Sequence, residues 1–166
     1  MNKEPVAILI DIIRTYLNLT NDQIWQYNQA RVIPNTSGSF VVVSYEASKP
    51  YSTSRNYSIV GTNYLETTTL QAEEMYSIEI FSRDSSARLN KEQIILALAS
   101  NYSIQQQELY NFRIASVAER INNISSQDGG SMLNRFVIDT RLITWYQNTQ
   151  SVNYFNRYPT TQIGNS

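Results

Sequence analysis

The side chains able to move protons or hold developing charge in this sequence are few: Glu73 and Glu74, Asp84, Asp128, and Asp139 with Arg141. A carboxylate pair acting as general acid and base needs both groups in one pocket with separated proton affinities. Glu73 and Glu74 are adjacent on a predicted strand edge and point to opposite faces, so they do not form a simple pair. Asp128 precedes Gly129-Gly130 and reads as a turn former. Asp139 and Arg141 lie two apart in a predicted strand, where a same-face ion pair accounts for them. Asp84-Ser85-Ser86 supplies helix-capping oxygens.

The sequence has no histidine and no cysteine. Thiol nucleophiles, His-dependent triads, Cys/His zinc sites and disulfide scaffolds are thereby excluded. The five glycines are scattered, and no phosphate-binding loop, dinucleotide fingerprint, calcium loop or Gly-x-Ser-x-Gly elbow occurs. The expectation is a protein without catalytic residues, cofactor or metal.

Net charge is −1, from 13 Lys and Arg against 14 Asp and Glu. That is not the strongly basic balance of a protein holding nucleic acid by phosphate neutralisation. Asn, Gln, Ser and Thr make up 61 of the 166 residues and Tyr adds 12, whereas Lys occurs only at Lys3, Lys49 and Lys91. Amides, hydroxyls and tyrosines are buried against a partner at lower desolvation cost than Lys or Glu, so this surface suits permanent contact with neighbouring protein. No segment reaches transmembrane length, and Asp11 and Arg14 interrupt the apolar amino-terminal run that would otherwise suggest a signal peptide.

Pro5 and the spacing of Val6, Leu9, Ile10, Ile13 and Leu17 predict a helix over residues 4–19. Ile8, Ile12, Tyr16 and Leu19 add a second apolar stripe, so this helix either lies deep on a sheet or meets another subunit. Ile24 to Tyr27 reads as a short strand, and Phe40 to Tyr45 as a central one. Residues 46–74 read as a β-hairpin arm, with Asn56–Val60 and Tyr64–Thr69 flanking a three-residue Gly61-Thr62-Asn63 loop. A two-stranded arm is marginal alone and needs support. Met75 to Phe81 alternates with Tyr76, Ile78 and Ile80 on one face; Ile94, Ile95, Leu98 and Tyr102 mark a second helix running toward Tyr110.

Arg113 to Val117 and Leu133 to Gln147 are the last predicted strands. In the latter, Phe136, Ile138, Leu142 and Tyr146 share one face, while Val137, Ile143 and Trp145 share the other, so both faces are expected to be covered. The polar, aromatic residues 148–166 lack a core-forming period and read as an extended C-terminal tail. The sum is an α+β domain over 1–147: a mostly antiparallel sheet with two helices packed on one face, the arm at 46–74, and the tail.

This ordering resembles the phage neck/tail terminator-like (tail completion) family. The resemblance runs from the first helix through Ile24-Trp25-Gln26-Tyr27-Asn28-Gln29, Phe40-Val41-Val42-Val43-Ser44-Tyr45, Tyr76-Ser77-Ile78-Glu79-Ile80-Phe81 with the second helix, and Phe136 to Tyr146, covering residues 4–147. It implies a structural virion protein of the head–tail junction, synthesised in the host cytoplasm. Such a protein forms a six-fold homo-oligomeric ring that ends the tail tube and meets the head-side connector protein, while DNA passes through the lumen without sequence-specific binding. The ring's heterologous contacts suit arms and tails that cross subunit boundaries.

Tyr57, Tyr64 and Leu65 on the arm are the expected contacts to a neighbouring copy, and Tyr154, Phe155 and Tyr158 those to an adjacent ring or subunit. The competing expectations are another connector component, a stopper or adaptor, and a carbohydrate-binding or adhesive module, which exposed Trp, Tyr and Asn would also suit.

Overall fold

The computed structural model describes residues 3–27, 35–61, 63–128 and 131–152. The chain opens with α1 (Pro5–Leu17), then β1 (Ile24–Gln26), β2 (Phe40–Val60), β3 (Asn63–Ser82), α2 (Ser86–Leu98), α3 (Asn101–Tyr110), β4 (Phe112–Asn123), β5 (Ser126–Asp128) and β6 (Ser131–Val152). The sheet runs β1-β2-β3-β6-β4, with β5 paired to β6 off this path. Every pairing is antiparallel except β1 with β2. This is an α+β fold with β3 at its centre.

The helical layer has three members where the sequence predicts two. Ser100 breaks the expected long second helix: its Oγ accepts from the Ser103 N–H at 3.1 Å, starting α3 as a new helix. α1 and α3 both stop at an asparagine in the left-handed region, Asn18 at φ 52° and Asn111 at φ 53°, whose N–H groups return to Arg14 O and Gln107 O. α2 starts on Asp84, which accepts from the Ser86 N–H at 2.8 Å and from the Gly38 N–H at 3.0 Å. These bonds hold the Asp84 carboxyl at about 2, below the ordinary 3.8, with the bonds from Ser86 the largest cause.

The core lies between the helices and one face of the sheet. Leu9, Ile12 and Ile13 of α1 and Ile94 and Leu98 of α2 meet Val41, Val43, Tyr76, Ile78, Ile80, Ile138 and Leu142. The even-numbered residues of β3 and β6 thus form the core face, as the alternation predicts. α1 touches β1, β2, α2 and α3, so most of the doubly apolar helix is covered within its own chain, with Tyr16 of the second stripe left exposed. The opposite sheet face holds a smaller cluster of Trp25, Phe40, Val42, Phe81 and Leu133, in which Phe40 and Phe81 stack at 5.7 Å and Trp25 meets Phe81 edge-on at 5.9 Å. This cluster crosses β1, β2, β3 and β6 only at the strand ends away from the arm. Val137, Ile143 and Trp145 are half-buried and Asp139 and Arg141 exposed, so the described residues do not cover that face along its length.

The arm differs from a two-stranded hairpin. β2 and β3 pair from Phe40↔Phe81 to Val60↔Asn63, and β6 pairs with β3 without interruption from Ser82↔Asn134 to Tyr64↔Val152. The connection is shortened to Gly61 and residue 62, with Gly61 at φ 63° supplying the left-handed conformation such a turn requires. Residues 148–152, assigned to the tail by sequence, are the third strand of the arm. The apolar period that ends at Gln147 marks where the sheet loses its core, and the backbone pairing continues beyond it. Residues 153–166 lie outside the described residues.

Candidate functional site: the arm and a carboxylate pocket at its base

β4 accompanies β6 only as far as Phe112↔Thr144, so beyond that level the sheet narrows to three strands. The eight residues Trp145 to Val152 extend it by about 25 Å at the usual strand rise. Along this stretch β2 is exposed at every position and β3 is half-buried or exposed. Its charge is sparse, with Arg55 and Glu66 as its ionic groups from Tyr51 to Gln71 and none from Trp145 to Val152. Nearer the base, Lys49, Pro50 and two register shifts, at Tyr45/Ala47 and Pro50/Ser52, blunt the outer edge of β2 against unspecific strand pairing.

Tyr57 and Tyr64 come together: their rings stack at 5.5 Å with planes 8° apart. Both lie on the core-side face of the arm, with Ile59 between Tyr57 and the turn. Leu65 sits on the opposite face, between Ser58 and Ser151, so the three residues named from sequence do not form one patch. On that opposite face the Thr67 and Thr149 hydroxyls bond at 2.9 Å. The tip presents Ile59 and Val60, 71% and 60% exposed. Tyr154, Phe155 and Tyr158 lie outside the described residues.

At the base of the arm the structure places a group that sequence reasoning set aside. β3 is the central strand, so Glu73 and Glu74 are not on an edge; they still face opposite sides. Glu73 meets Arg141 across the β3–β6 pair at 3.6 Å, in place of the expected Asp139–Arg141 pair. Asp139 stands opposite Ser77, exposed.

Glu74 is 4% exposed, on the core face in line with Tyr76 and Ile78. The Tyr76 hydroxyl donates to its Oε2 at 2.6 Å, and the Tyr146 hydroxyl donates to its Oε1. Tyr146 reaches Glu74 over the small buried side chains of Ala72 and Thr144. Burial, and then the bond to Glu74, push both phenols above their ordinary 10.0. Tyr45 meets Tyr76 edge-on at 5.6 Å and is half-exposed. These residues, with Lys3, Glu4, Pro5, Val6 and Gln26, line a groove of about 480 Å³.

The pattern was readable in one respect: residues 72, 74, 76, 78 and 80 alternate onto one face, which sets a carboxylate in line with a core stripe. Tyr146 supplies the second phenol from a strand 72 positions away, which spacing alone does not reveal.

Glu79 has a structural partner. Arg135 grips Glu79 with a two-pronged contact, Nε to Oε1 at 2.7 Å and Nη2 to Oε2 at 3.0 Å, and the bond to Glu79 raises the guanidinium's proton affinity. Among the described residues no three His, Cys, Asp or Glu side chains are grouped to hold a metal ion. No helix among them is long and apolar enough to cross a membrane. Comparison with protein-family models and with curated proteins finds no match to the chain.

Proposed function

We propose that this chain is a structural protein of a phage head–tail junction: a ring-forming tail terminator that caps the tail tube and joins it to the head-side connector, without turnover. The observation that carries the reading is the arm. Three strands extend about 25 Å past the last β4 pair, nearly uncharged, with Ile59 and Val60 exposed at the tip. A bare sheet of this kind buries little within its own chain, and exposed apolar tips of projecting elements mark contact sites. In a ring the arm crosses to the next copy as a heterologous contact. A net charge of −1 suits a lumen that lets DNA pass without retaining it.

Negative-stain imaging of the purified protein mixed with purified tail tubes tests the reading. Rings seated on tube ends are expected. Binding to a head-side component with tube ends left bare would move the protein to a stopper or adaptor position, and glycan binding by the monomer would favour an adhesive module.

A further inference from the structure

We infer that the groove around Glu74 is a binding site for an organic cation, a guanidinium or alkylammonium group. The inference does not depend on the ring reading.

A carboxylate taken out of water is costly unless paired, and the partners of Glu74 in this groove are two neutral phenols, Tyr76 and Tyr146. They satisfy one lone pair on each oxygen, and among the described residues no cation is paired with the carboxylate. Among the described residues, the charged groups lining the groove with it are Glu4 and Lys3. Lys3 is engaged with Asp11, a carboxylate it shares with Arg14, and its Nζ sits 6.0 Å from the Tyr110 ring centre rather than on Glu74. Glu4, at the start of α1, adds a second negative charge at the rim. Pro5, the first helical residue, has no N–H to offer a carboxylate.

The walls complete the case. Tyr45 and Tyr146, both half-exposed, give the groove aromatic walls beside the carboxylate, and aromatic ring faces attract cations within about 6 Å. An aromatic wall with a buried carboxylate discriminates by desolvation: a weakly hydrated guanidinium or alkylated ammonium gains from both, whereas sodium loses its water without filling the groove. The 480 Å³ volume accommodates a group of that size.

The test uses the full chain, with tyrosine ring resonances followed by NMR during titration with methylguanidinium chloride or tetramethylammonium chloride, and sodium chloride at matched ionic strength. Saturable shifts of Tyr45, Tyr76 and Tyr146 with the organic cations, absent with sodium, are expected. Glu74→Gln keeps the volume and an acceptor oxygen while removing the charge, and should weaken binding about tenfold or more. Should Glu74→Gln fail to fold, Tyr45→Leu at the half-exposed wall serves in its place, with a several-fold loss expected. Equal shifts with sodium, no saturation in the folded wild type, or unchanged affinity in a folded variant would overturn the inference. Adding methylguanidinium while following solution mass separates the sources of the cation: dissociation of oligomers assigns it to a Lys or Arg side chain of a second copy, and unchanged mass to a free cation.

Discussion

Glu74 and its two phenols set the first expectations at the residue scale. Removing one donor leaves a buried carboxylate under-satisfied, so Tyr76→Phe should lower stability by about 1–3 kcal/mol, read from urea denaturation. Tyr76 and Tyr146 both hold their protons above the ordinary 10.0 in the fold. A folded-state affinity raised above the unfolded one means stability fully present below about pH 10 and lost as pH rises past it. Ultraviolet titration of phenolate should show these two tyrosines ionising above 10.0, and Glu74→Gln should bring both down. Asp84 works in the opposite sense. Its folded value of about 2 lies below 3.8, so its contribution is present above about pH 4 and lost as pH falls toward 2. Asp84→Asn should flatten that acid limb of the stability profile, leaving the alkaline limb unchanged.

The arm carries the expectations at the element scale. β3 and β6 stay in register over nineteen consecutive pairs, from Tyr64↔Val152 to Ser82↔Asn134, so the final residues of β6 support the tip rather than trailing from the domain. Ending the chain after Asn148 removes the partners of Thr67 to Tyr64 and leaves a two-stranded end, which is marginal in water. Amide exchange should accelerate in residues 57–67 while the protection of Ile78, Ile80 and Ile138 is kept. Replacing Tyr57 and Ile59 together by serine should lower monomer stability by only about 1–2 kcal/mol, through loss of the Tyr57–Tyr64 stack and of cross-strand contact at exposed positions, while weakening self-association. Much of this element was legible: Gly61 marked the turn, and Thr- and Tyr-rich flanks marked the strands. The third strand was not, because residues 148–152 have no apolar alternation and are held by backbone pairing to β3, a long-range interaction without side-chain signature. The break between α2 and α3 escaped for a related reason, since a single Ser100 cap interrupts a stripe of apolar residues that otherwise continues to Tyr102.

At the scale of the whole molecule, α1, α2 and α3 cover one face of the sheet, while the other keeps a small aromatic cluster at one end and stays open toward Val137, Ile143 and Trp145. The amphipathic periods of the helices and of β3 and β6 made the covered face legible from residues such as Ile13, Ile78 and Leu142. The apolar groups on the other face predicted a cover that the described residues do not supply in full, and the Glu73–Arg141 ion pair there stays exposed enough to be solvated. In the proposed ring, the open face would receive the projecting arm of the next copy, a head-to-tail contact that closes on itself. The central claim is that the protein functions as such a closed assembly built through the arm. Solution mass measured across protein concentration, with negative-stain images of the same samples, tests it most directly for the wild type and for the Tyr57→Ser, Ile59→Ser double variant. Closed rings of the wild type and a folded, monomeric variant are the expected result; a wild type that stays monomeric at every concentration, or a variant that forms the same rings, would contradict the account.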